Sequence, residues 1–225
     1  MSPHAIFDWT GQWPWVALFL LGAFHGLNPA MGWLFAVSLG LQQKRRAAVL
    51  EALPPILLGH VVSVALVVVL LEAFRTMLPP VGTRVAASLI LLSFGGLRFW
   101  RSSHPRWVGM QVGFRDLTLW SFLMASAHGA GLMLMPFVLA LPGVLPAHLA
   151  SHEAMMGMQV AARGPVPGWL LPVGIHTVGY ALAMGMAAAI VYEKLGLTIL
   201  RRAWVNLDMV WAAALVGTGV VSLFI

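Results

Sequence analysis

The sequence predicts an all-α membrane protein with six transmembrane helices, arranged as two inverted three-helix repeats with the N-terminus and C-terminus outside. Three observations carry this expectation. The first is composition: 60% of the 225 residues are hydrophobic and 9% are charged, where a soluble globule carries about 25% charged residues. The second is patterning. Apolar residues gather into six runs, near 14–41, 48–74, 84–100, 117–141, 169–192 and 204–224, and a helix needs about 20 such residues to cross the hydrocarbon layer. The third is an internal repeat. A helix with a His-Gly step (His25-Gly26, His128-Gly129) is followed in each half by a proline-then-histidine helix (Pro55 to His60, Pro172 to His176). Three spans per half is an odd number, so the second half enters the membrane from the opposite side.

The elements follow in order. The first run carries Asn28-Pro29, which predicts a break, because proline removes a helical hydrogen bond and clashes with the carbonyl four residues back, that of His25. Freed carbonyls and the Asn28 amide are then expected to face a cavity at membrane depth. The second run holds Pro54-Pro55 ahead of Gly59-His60, and a bend is expected there. The third run ends in Gly95-Gly96. The first repeat is placed at 1–100, a cytoplasmic linker at 101–116 and the second repeat at 117–225. The fourth run is loosened by Gly129, Gly131 and Pro136. An outer loop between Pro142 and Pro165 is expected to hold a surface helix near 147–162. In the fifth run Pro172 predicts a bend before His176, and the sixth carries Gly217 and Gly219, matching the third.

Charge placement orients the chain. With the N-terminus outside, inner loops hold Lys44, Arg45, Arg46, Arg98, Arg101, Arg106, Arg115, Lys194, Arg201 and Arg202, while outer loops hold Arg75, Arg84 and Arg163. That bias is the positive-inside pattern of a multi-pass protein in a bacterial-type inner membrane. The net charge of +6 is therefore a topology signal rather than a nucleic-acid footprint. The first apolar run has no basic region before it, so no cleavable signal peptide is expected. The absence of cysteine removes disulfides and thiolate sites.

Four histidines, His25, His60, His128 and His176, fall inside the apolar runs. Counted from the run starts they lie about seven to twelve residues deep, most of them near mid-bilayer. Unpaired polar rings there are costly, so the expected arrangement turns them toward each other, a cavity or an ion. Neutral imidazole suits nickel, cobalt, copper and zinc. Asn28, Pro29, Met31, Met135 and Thr177 are candidates for a substrate path. Met135 is placed one heptad beyond His128. Ser63, Thr177 and Tyr180, each one to four residues after a histidine, are candidate partners that orient the rings. In the outer loop His148 and His152, four apart and followed by Glu153, form a weaker candidate for metal capture. Glu51 and Asp208 stand at the inner ends of their spans as solvated carboxylates.

His25-Gly26-Leu27-Asn28-Pro29, the basic cluster after that span and Gly59-His60 together resemble the nickel/cobalt exporter (NicO) group within the lysine-exporter (LysE) superfamily of six-helix carriers. The family's first helix carries His-x-x-x-Pro-Asp-His and the next carries Gly-His-Thr. His25, Pro29, Gly59 and His60 match, and Ile175-His176-Thr177 echoes the second element. Ala30-Met31 stands where the family has Asp-His, which leaves the ion open among nickel, cobalt, copper and zinc. The resemblance implies a transporter rather than an enzyme.

The expected function is secondary transport of a transition-metal cation through a central multi-histidine site, with the lipid bilayer as the surrounding partner. No serine with a nearby base, no phosphate loop and no carboxylate dyad in the spans points to catalysis. The alternatives are a haem-binding or accessory subunit of a membrane complex, or a carrier of a small organic solute. A homo-oligomer stays open.

Overall fold

A computed structural model describes residues 13–75, 80–100, 113–140, 169–195 and 207–223. The chain is helical throughout these residues, with no strand among them. The outer-loop candidates His148, His152 and Glu153, and the expected helix near 147–162, lie outside the described residues.

Helix α1 (Trp13–Leu27) stops where the residue before proline must be extended: Asn28 sits at φ −69°, ψ 119°. A single 3₁₀ turn (Pro29–Met31) follows, and its Asn28 cap accepts a hydrogen bond from the Ala30 amide at 3.0 Å. Gly32, at φ 124°, turns the chain into α2 (Trp33–Gln43). The first expected span is therefore two helices. Its freed carbonyls do not face a cavity as expected. The Asn28 amide donates to His25 O (3.2 Å), the Trp33 indole to Leu27 O (3.1 Å) and the Tyr180 hydroxyl to Met31 O (2.7 Å).

Helix α3 (Arg46–Arg75) continues through Pro54 and Pro55. It is followed by α4 (Pro80–Trp100). Helix α5 (Phe114–Ala127) begins inside the expected linker, with the Asp116 carboxylate accepting from the Gly113 amide at its start. The fourth expected span continues as two short pieces, α6 (Ala130–Met133) and α7 (Met135–Ala140), set off by Gly129 at φ 67°. Helix α8 (Leu170–Ile190) carries Pro172 in its first turn, where the ring costs no helical hydrogen bond, so Pro172 starts this helix and is no interior breaker. It runs into a π turn (Val191–Leu195). Helix α9 (Leu207–Ser222) closes the described chain.

Two stretches, Arg46–Leu71 and Leu170–Lys194, are long and apolar enough to cross a membrane. Both also help form the interior. The most extensive pairings are α1 with α8, α3 with α5 and α4 with α9. Gly22 of α1 lies against His176 and Tyr180, and Gly26 against Tyr180 and Met184, so α1 and α8 run parallel. Gly59 of α3 lies against Thr118 and Phe122, and Ser63 meets Ser126 at 2.8 Å, so α3 and α5 also run parallel. Gly95 lies against Leu215 and Val216, and Gly219 against Leu91 and Leu92, which makes α4 and α9 antiparallel. The main core gathers Met31, Trp33, Ile56, Leu91, Met133, Tyr180 and Leu215 from both halves. On its outward side α3 exposes Leu58, Val62, Leu66, Val69 and Leu70, an apolar stripe at helical spacing.

Candidate functional site

Missing side chains create the site. A Cβ on Gly22 would strike the His176 carbonyl, one on Gly26 the Tyr180 carbonyl and one on Gly179 the Phe19 carbonyl. Such gaps let two helix backbones touch, as small residues do where helices associate by packing. Contact between α1 and α8 carries His25 to His176, with ring centres 5.0 Å apart. His60 of α3 completes a triangle at 5.9 Å from His25 and 5.5 Å from His176. All three rings are fully buried.

Hydrogen bonds orient these rings. His25 Nδ1 lies 2.8 Å from Leu21 O, and His128 Nδ1 lies 2.8 Å from Met124 O. A carbonyl only accepts, so each Nδ1 carries a proton and each neutral ring keeps its lone pair on Nε2. The two bonds are the same interaction, each from a histidine that precedes a glycine to the carbonyl four residues back. His60 Nε2 and His176 Nε2 stand 3.3 Å apart, close enough for one N–H to donate to the other nitrogen. His60 Nδ1 is buried with no hydrogen-bond partner among the described residues. His128 is buried at the end of α5.

These distances can be compared with metal geometry. Three imidazoles bonded to one tetrahedral ion at zinc–nitrogen length would have ring centres about 5 Å apart and nitrogens about 3.3 Å apart. The three centres and the His60–His176 nitrogens lie near those values. The nitrogens are not all aimed together, however. Among the described residues no group of three or more His, Asp or Glu side chains is set to hold a metal ion as it stands.

The other candidates are distributed as follows. Asn28 is buried with its oxygen taken by the Ala30 amide, and Pro29 starts the 3₁₀ turn. Met31 lies in the main core, its carbonyl bound to Tyr180. Met135 packs with Leu71 and Ala87 in a separate apolar cluster. The heptad argument for it lapses because the helix restarts twice between His128 and Met135. Thr177 Oγ1 is buried without a hydrogen-bond partner among the described residues. Ser63 bonds Ser126 rather than an imidazole. Tyr180 was expected beside His176; it stacks instead on His60, 3.8 Å between centres and 4° from parallel.

Charges keep to the helix ends. Arg45 donates to both oxygens of Glu51 at 2.8 and 2.7 Å, which holds the guanidinium above its ordinary pKa. Arg46, at the start of α3, reaches Glu193 beyond α8 at 3.4 Å. A shallow apolar groove of about 340 Å³ between Leu58, Val62, Phe114, Leu119 and Phe122 reaches none of the four histidines. The roles of Gly22 and Gly179 escaped the sequence reading. The Gly22-x-x-x-Gly26 spacing is the signal that would have found the first. No protein-family model, no curated protein and no solved structure matches the chain.

Proposed function

We propose that this protein is a six-span membrane carrier that moves a transition-metal cation, with His25, His60 and His176 as its ligands and His128 beside them. The observation that carries the reading is the buried triangle of imidazoles from three helices, with ring centres 5.0 to 5.9 Å apart. Small rotations of these rings would turn three nitrogens toward one ion. Water and protons are scarce competitors at such a depth, and imidazole ligates as the neutral form.

The inverted-repeat architecture draws support from the helix pairs. If α1 corresponds to α5 and α3 to α8, the parallel α1–α8 pair requires a parallel α3–α5 pair, and both occur. Inversion also requires α4 and its counterpart α9 to pair antiparallel, as they do. Arg45, Arg46 and Lys194 then share one end of the bundle, consistent with a cytoplasmic face and with both termini outside. The nickel/cobalt-exporter resemblance agrees with this reading. Haem is disfavoured, because His60 and His176 meet through their nitrogens and leave no gap for a macrocycle between them.

The test is calorimetric titration of the detergent-purified protein with Ni²⁺, Co²⁺, Cu²⁺ and Zn²⁺, paired with ion flux into liposomes. At least one ion should bind, with affinity falling by about a hundredfold or more in H60A and H176A, and falling in wild type as acid protonates the rings. Absence of binding by all four ions, or binding and flux unchanged in both variants, would end the proposal.

A further inference from the structure

Tyr180 touches both the imidazole cluster and the break between α1 and α2. Its ring lies flat on His60 at 3.8 Å, and its hydroxyl donates to Met31 O at 2.7 Å. Met31 is the last residue of the 3₁₀ turn between α1 and α2, beside Gly32 with its positive φ. The helical ladder stops at this turn, and the phenol supplies a donor to the carbonyl there. The side chain is fully buried and has two rotatable bonds, so its face and its tip move as one body.

We propose that Tyr180 is a positioning residue that couples the imidazole cluster to the break between α1 and α2. Rotation of His60 toward an ion displaces the stacked phenol, and the displacement shifts the hydrogen bond on Met31 O and alters how firmly the break is held. This deepens the metal-carrier reading and rests on it. A few residues at an element's end are the usual place for a hinge. The first half has no equivalent of this residue, since four residues past His60 the chain carries Val64, which has no hydrogen-bonding group where Tyr180, four past His176, has one.

Hydrogen exchange in detergent tests the coupling, with zinc ion alone as the probe. In wild type, zinc should change the exchange of the Gly32 to Phe35 amides more than that of the Gly129 to Leu134 amides. In Y180F, which keeps the stack and loses the hydroxyl, the metal-free amides at Gly32 to Phe35 should exchange about fivefold faster or more. The zinc response there should disappear while zinc still binds. Wild-type exchange at these amides in Y180F, or a zinc response that survives in it, would overturn the proposal. If Y180F does not fold, the wild-type measurement decides alone, and zinc binding with no change at Gly32 to Phe35 overturns the coupling. A calorimetrically silent wild type would remove the binding reading instead, and metal-free Y180F exchange would still judge the hydrogen bond at the break.

Discussion

Two helix breaks, one after His25 and one after His128, are held differently. The first is tied by side chains: Asn28 caps the turn, Trp33 takes Leu27 O and Tyr180 takes Met31 O. The second is closed by backbone bonds, Gly129 N to Ser126 O and Met133 N to Gly129 O, around a left-handed glycine. Each tied side chain must move before the first break can change shape. At the second, the backbone bonds stand beside the local His128 Nδ1 bond to Met124 O. The first break is thus strapped by side chains from beyond the turn, and the second is held by local bonds around its glycine. The helix pairs also differ: three glycines press α1 onto α8, where one glycine, the Ser63–Ser126 hydrogen bond and a Ser121 hydroxyl donating to Ile56 O join α3 to α5.

The largest effect expected on this comparison comes from the glycine-packed pair. G22L forces a side chain into the His176 carbonyl, which belongs to a helix backbone and cannot yield. It should cost more than about 3 kcal/mol, read as loss of the folded species in size exclusion. G174A, which meets nothing within 4 Å, should leave the protein unchanged. The two breaks are separated next. G32A places a Cβ against Ile56 at φ 124°, whereas G129A needs only the αL region and meets the flexible end of Leu215 at 2.9 Å. Thermal unfolding should show a loss of about 3 kcal/mol for the first and about 1–2 kcal/mol for the second. Equal losses would mean that the breaks are alike. The smallest effect belongs to S63A, which removes the Ser63–Ser126 hydrogen bond and should cost about 0.5–1 kcal/mol. Adding S126A should cost little more, because both substitutions delete one interaction.

Much of the candidate site was legible before any coordinates. His25, His60 and His176 stood out because a polar ring in an apolar helix needs a partner, and Asn28-Pro29 announced a break because proline cannot continue the ladder. The partners of the breaks and rings were not legible. Tyr180 lies four residues from His176 yet serves His60 and Met31, contacts that depend on which helices become neighbours. Ser63 was read against its own histidine and belongs to Ser126. Met135 lost its assigned face because two restarts of the helix reset the phase.

The sequence by itself determined the helical class, the break at Asn28-Pro29 and the burial of His25, His60, His128 and His176, since hydropathy, proline and glycine act within a few residues of chain. Tertiary structure alone decided which rings meet and at what distance. That outcome depends on glycines in one helix fitting backbone in another, and such a fit joins residues more than a hundred positions apart through shape, which no local pattern encodes.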